Sequence, residues 1–300
     1  DAGASMIIMR SLFEEQLIAE EMATARAMHT HAHSHAEAHT YLPDPDDFVL
    51  GPHAYLEELR SLKEALGIPV VASLNGTTEG GWLDNARLME QAGADAIELH
   101  IYSVPIDVNV TGPALEQRTI EMASAVKRAV SVPIAIKLSP FYTSVLNISH
   151  QLAAAGASAL VLFNRFYQPD IDVDGLNIVS RLELSDSRDL PLRLRGLALL
   201  SGRVNASLGV TGGVHTVLDV VKAVMSGADG VQMVSALLRN GPDHITRLRN
   251  ELTEWLETHE YDSLKQMKGS MSYLKCPDPS AFNRASYIKV MQTWASDGLV

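Results

Sequence analysis

Cysteine is nearly missing from this chain, for Cys276 is the only one in 300 residues. One thiol excludes an intrachain disulfide, a CxxC redox pair, a thiolate zinc set and an iron–sulfur ligand set, each of which needs at least two. Positive charge is also short, with 24 Lys and Arg against 36 Asp and Glu and a formal net charge of −12. Sequence-independent binding to nucleic acid needs clustered cations, so no such partner is expected, and an anionic ligand must find a locally built site. No apolar run approaches the roughly 18 residues that read as a membrane span. The opening DAGASMIIMRSL lacks the layout of a secretory signal. The expectation is a cytoplasmic chain with neither a membrane nor a nucleic-acid partner.

What is present is a repeat. AGASMIIM (2–9), AGADAIEL (92–99), AGASALVL (155–162) and SGADGVQM (226–233) each place a glycine after an amphipathic stretch and an apolar run after the glycine. A glycine there takes the left-handed conformation that ends a helix, and the apolar run then forms a buried strand. GIPVVASL (67–74) and SVPIAIKL (131–138) use proline at the same junction, and SLGVTGG (207–213) supplies a seventh strand. Helical stretches are expected over 12–28, 53–66, 113–129, 145–155, 189–203 and 215–226. Continuous apolar strands separated by helices imply a parallel sheet with right-handed crossovers. No GxGxxG turn follows the first strand, which favours a (β/α)8 TIM barrel over a doubly wound nucleotide fold. Seven strands are one short, so a first strand and helix are expected to be lacking from this chain. The alternative makes LALL (197–200) the eighth strand. The barrel is expected over 1–258 and a helical extension packed on it over 259–300, with Trp255 and Trp294 as packing anchors.

In such a barrel the chemistry lies at the C-terminal ends of the strands. The residues there are Arg10-Ser11, Asn75-Gly76, His100, Tyr102-Ser103, Lys137, Asn164-Arg165, Thr211-Gly212-Gly213 and Ser235. The TGGVHT stretch leads into a helix, where glycine lets backbone amides approach an anion, so it reads as a phosphate cradle or else as a tight turn with positive φ. Lys137 ends the apolar AIKL, and its ammonium either faces a polar cavity beside a redox ring or pairs with Glu98. Five histidines in HTHAHSHAEAH (29–39) have metal-capturing spacing but no accompanying cysteine, and YLPDPDDF (41–48) lacks the full calcium-loop pattern, so no metal is expected.

MRSLFEEQ, AIELHIYSVP, VPIAIKLSP, LVLFNRFYQPDID, GVTGGVHT and GADGVQMVSALL, in that order and spacing, resemble the dihydroorotate dehydrogenase family, most closely its dihydroorotate dehydrogenase-like branch. The resemblance implies FMN as cofactor. Arg10 and Ser11 stand where the family has Lys-Ser beside the flavin, Lys137 where it has the flavin lysine, and Asn164 and Arg165 at the flavin edge. Gly212, Gly213 and Ser235 stand where the family holds the FMN phosphate, and His100, Thr211 and Val234 are further expected cofactor-binding residues. The resemblance also implies a CH–CH oxidoreductase of pyrimidine metabolism that moves a hydride between a dihydropyrimidine-like small molecule and flavin. Electrons then pass to an external acceptor or a partner protein, and a homodimer is the expected assembly.

Two departures matter. The family's Asn-x-Ser-Cys-Pro is His100-Ile101-Tyr102-Ser103-Val104-Pro105 here. Ungapped, Ser103 takes the base position, whereas aligning Ser-x-Pro puts Val104 there, and His100 or Tyr102 then serves proton transfer. The Ala-Ser-Gly turn after the family's first strand is not found. Two other functions stay open: a flavin-free phosphate-binding lyase or isomerase with Lys137 as base or Schiff-base former, and a non-catalytic FMN-binding barrel.

Overall fold

A computed structural model describes residues 1–15, 52–76, 78–101, 103–164 and 168–293. The histidine-rich segment, the 41–48 acidic stretch, Tyr102, Arg165, Trp294 and most of the expected 12–28 helix lie outside the described residues.

The chain divides into two compact units, one formed by 4–138 with 151–159 and the other by 1–3, 139–150 and 160–300. In the first unit, strands β1 (Ile7–Phe13), β2 (Val70–Asn75), β3 (Ala96–Leu99) and β4 (Ile134–Lys137) pair in that order, all parallel. Helices α1 (His53–Ala65), α2 (Glu79–Gln91) and α3 (Gly112–Ala129) connect them. The division falls within α4 (Val145–Ala154) and β5 (Ala159–Leu162). The second unit holds a small antiparallel hairpin, β6 (Asp170–Asp172) with β7 (Asn177–Val179), then α5 (Leu190–Leu200), β8 (Ser207–Thr211), α6 (Val217–Ser226) and β9 (Gly230–Gln232). There β8 and β9 are parallel neighbours. Short α7 (Ser235–Asn240), then α8 (His244–Thr258), α9 (Leu264–Met267) and α10 (Ser286–Gln292) complete it. Among the described residues, seven strands alternating with helices make a partial (β/α)8 barrel.

The repeat works as its glycines suggested. Gly93, Gly156 and Gly227 follow α2, α4 and α6 at φ of +96°, +104° and +120°, a conformation that costs an L side chain but not glycine. In the first unit Val70, Ala72, Leu74, Ile97, Leu99 and Ile134 turn one sheet face toward Leu56 and Leu59 of α1, Trp82 and Met89 of α2 and Val126 of α3. Burying each large aliphatic side chain of this layer contributes about 1.5–3 kcal/mol.

Three expectations change. LALL ends α5, and Leu197, Ala198 and Leu200 are buried as part of a helix, so it is no eighth strand. Helix α2, absent from the expected stretches, forms behind Thr78, whose hydroxyl accepts from Gly81 N–H and offsets the weak helix propensity of Gly80-Gly81. Strand β1 starts at Ile7 and runs to Phe13, so Arg10 and Ser11 lie inside it rather than after it.

The segment after α8 closes helix ends within its own unit. Gly269 and Met271 donate to the carbonyls of Val224 and Met225 near the end of α6, and Tyr273 donates to Ala198 of α5. These carbonyls lie in last turns, where helix ends leave acceptors over, and that of Val224 also accepts from Gly227 N–H at 2.9 Å. Cys276 is buried close by in sequence, and Trp255 stacks on His259 at 3.9 Å on α8. No described helix is long and apolar enough to cross a membrane.

Candidate active site

Register sets the first unit's polar face. Ser11, Ser73, Glu98 and Ala135 are cross-strand partners, so they share the sheet face opposite the helices. Two residues further along each strand come Phe13, Asn75, His100 and Lys137 on that same face. Six of these eight positions are polar, where a sheet interior would otherwise be apolar.

A β-bulge places Ser11 there. Between the pairs Ile8↔Val71 and Ser11↔Ser73, β1 advances three residues while β2 advances two. One extra residue inverts the facing of everything after it, so without the bulge Ser11 would point at the helices. Met9 and Arg10 occupy the bulge. Met9 joins the helix-side core, while Arg10 pairs with Glu58 of α1 at 2.9 Å and lies 5.4 Å from the Tyr55 ring centroid. At the same level the Tyr55 hydroxyl accepts from Ser73 N–H (2.8 Å) and donates to Ser73 C=O (3.2 Å), supplying partners where the ladder is interrupted. Burial pushes this phenol up to about 12.

Ser11 Oγ and Ser73 Oγ share a hydrogen bond of 2.7 Å. Beside them the Glu98 carboxylate, 1% exposed, approaches Lys137 Nζ at 2.6 Å, and the Lys137 side chain remains 17% exposed. Of the two alternatives for Lys137, the ion pair with Glu98 is present, and the lysine side chain keeps some exposure. Burial, and secondarily the Lys137 charge, lower the His100 imidazole to about 4, so it is neutral at physiological pH. The Phe13 ring meets His100 edge-on at 6.2 Å, and Asn75 is buried. A cation, a neutral imidazole and an amide on one face can stabilise an arriving negative charge and accept a proton.

In the second unit β8 ends at Thr211, and Gly212 and Gly213 follow at φ of +80° and +83°. A Cβ on Gly213 would lie 2.5 Å from the Leu190 backbone nitrogen. The Arg193 Nε donates to Thr211 C=O (2.6 Å) and its Nη1 to Asp189 C=O (2.5 Å), pinning α5 to the turn. Tight-turn geometry alone thus requires glycine at 213. Just ahead of α6, Asp219 Oδ2 accepts from His215 N–H (3.0 Å), Thr216 N–H (2.9 Å) and Ser187 Oγ (2.7 Å), and because Asp219 N–H in turn donates to Thr216 Oγ1 (3.3 Å) the two residues form a capping box.

The turn itself does converge with the other expected phosphate segment. Gly213 N–H donates to Ser185 Oγ (3.4 Å), which also hydrogen-bonds His215 Nε2 (3.3 Å), and Ser185 N–H donates to Ser235 Oγ (3.2 Å). Ser185 and His215 were missed in the sequence, although LELSDSRDL is a hydroxyl-rich stretch directly ahead of a helix. Among the described residues no group of three or more His, Cys, Asp or Glu is placed to hold a metal ion.

A family model described as dihydroorotate dehydrogenase matches residues 49–256. The chain belongs to the dihydroorotate dehydrogenase family. It is 29% identical over 227 residues, 73% of each chain, to the dihydroorotate dehydrogenase B (NAD(+)) catalytic subunit of Methanothermobacter thermautotrophicus. It is 30% identical over 228 residues, 72% of each, to the Listeria monocytogenes protein of the same name, and 26% identical over 223 residues, 72% of each, to that of Thermoplasma acidophilum. An oxidoreductase of this family on a partial barrel is the class that these matches support.

For this dihydroorotate dehydrogenase family member the remaining expected residues scatter in burial. Ser103 is exposed in the loop after His100, whose own N–H donates to Leu74 C=O at 2.8 Å. Asn164 is half-buried just after β5, and Val234, immediately before α7, is 66% exposed. Arg10 is engaged by Glu58 on the helix side of β1, whereas the resemblance had it beside the flavin.

Proposed function

We propose that this family member is an FMN-dependent oxidoreductase acting on a CH–CH bond beside a carbonyl in a dihydropyrimidine-like substrate. The observation that carries the reading is the Lys137 ammonium held between Glu98 and the open polar face, next to a neutral His100. The donor set suits the group. In the first unit a cation and the Asn75 amide match the oxygen- and nitrogen-rich edge of a flavin ring; the second unit, taken by itself, offers Gly213 N–H, the Ser185 and Ser235 hydroxyls and His215, a set that matches a phosphate. When bound, FMN supplies the hydride acceptance that no side chain can provide.

The chain's own residues then have separate tasks. Lys137 would hold the ring edge that gains negative charge, and its attraction would strengthen as that charge develops. His100, neutral and mostly shielded, takes the proton from the substrate carbon. Ser103 is the weaker candidate, because an exposed hydroxyl without an activating base is a poor proton acceptor. Ser11, Ser73 and Asn75 orient polar groups, and Thr211, Gly212 and Asn164 line strand ends. A single cysteine holds no iron–sulfur cluster, so electrons leave to a soluble acceptor or a separate protein.

The test is anaerobic titration of the purified, FMN-loaded protein with dihydroorotate and related dihydropyrimidines. Bleaching of the flavin bands by wild type, and loss of that bleaching with retained FMN in Lys137→Met, is the expected result. FMN-loaded wild type that no dihydropyrimidine bleaches contradicts the substrate class, and unchanged bleaching in Lys137→Met contradicts the role of the lysine.

A further inference from the structure

We propose that Glu98 is a positioning residue that acts through Lys137, holding the ammonium at the ring-facing end of the polar row and balancing its charge before substrate arrives; this rests on the FMN reading above. A carboxylate 1% exposed within a strand is costly, and replacing a buried ion pair by apolar side chains often stabilises a protein. The flanking strand residues Ile97 and Leu99 show that apolar side chains serve the other face of this strand. Stability therefore does not account for Glu98.

Its position does. Glu98 is level with Ser73 and Ser11, one row deeper than Lys137, so a lysine at the strand end folds back onto it at 2.6 Å. Among the described residues, His100 and the Ser11–Ser73 hydroxyls share the face of this pair, the Tyr55 phenol also feels the Glu98 charge, and Arg10 is held by Glu58 on the helix side. At neutral pH, therefore, Lys137 is the only cation among these facing groups and Glu98 its matched anion. An unopposed ammonium would favour the reduced, negatively charged ring unconditionally. A paired one does so with a fixed geometry and a damped field.

The experiment measures the midpoint potential of bound FMN in wild type, Glu98→Gln and Glu98→Asp, without substrate. Loss of the counter-charge in Glu98→Gln should shift the two-electron equilibrium at least about tenfold toward the reduced form, about 30 mV, and Glu98→Asp should return most of that shift. In Glu98→Gln kcat should fall more than KM rises, because the ammonium stays near the ring but is no longer held in one geometry, and Glu98→Asp should keep most of kcat. An unmoved potential in Glu98→Gln with FMN bound overturns the inference. Thermal stability of Glu98→Gln, Lys137→Met and the double variant gives a readout independent of cofactor: non-additive losses support the coupling, and additive losses overturn it. Wild type that takes no FMN fails the functional reading itself, a result distinct from either of these.

Discussion

The residues that matter here are those whose neighbours leave them few options. Tyr55 is one: its single hydroxyl both accepts from and donates to Ser73 at the β1 bulge. Tyr55→Phe keeps the ring and removes both bonds, so we expect a loss of about 1–3 kcal/mol in chemical denaturation, larger than an exposed hydroxyl would cause. His100 is another. Its folded pKa near 4 lies below the ordinary 6.5, so the unfolded chain binds the extra proton more readily. Its contribution to stability is complete above about pH 6.5 and is lost as pH falls toward 4. Proton NMR of the imidazole should show no titration near neutrality in the native protein. A midpoint close to 6.5 would contradict a shielded His100.

At the scale of elements, small devices decide which side chains face the site. The bulge turns Ser11 onto the polar face and Arg10 off it, and no composition or periodicity of MIIMRSLF announces that extra residue. The sequence offers Arg10-Ser11 as a pair at a strand end, whereas the two residues point to opposite faces of a strand interior. Lys137 was legible because a lysine closing an apolar run has few places to go. Glu98 was already its named alternative partner. Ser185 shows only as one hydroxyl in LELSDSRDL, since nothing local ties it to a glycine 28 residues away, and His215 stands inside GVTGGVHT without a sign of the serine it meets. LALL was ambiguous for a different reason: a short apolar run suits a buried strand or a buried helix turn equally.

Two element-level outcomes follow from the β8–α6 connection. Gly213→Ala places a methyl against the Leu190 backbone at positive φ, and we expect a destabilisation of about 1–3 kcal/mol or insoluble protein. Asp219 is drawn two ways: burial would raise its pKa, but hydrogen bonds from Ser187, His215 and Thr216 prevail and hold it below the ordinary carboxylate value. Its stabilisation is present above the unfolded pKa and is lost as pH falls through the folded one. Asp219→Asn should cost about 1–2 kcal/mol at pH 7, and the difference from wild type should shrink in strongly acidic buffer. A constant difference across that range would contradict the assignment.

For the whole molecule, the strand and helix rhythm, the barrel class and the family were all readable from six motifs and a glycine repeat, because parallel strands and their junctions leave strong local patterns. The proposed chemistry was only half readable, since it depends on which face each residue takes and on groups distant in sequence. The most direct measurement is the mass and visible spectrum of any small molecule released when purified protein is denatured, repeated after incubation with FMN. One FMN per chain with flavin absorption is the result this account predicts. Colourless protein that retains no FMN on gel filtration would contradict it.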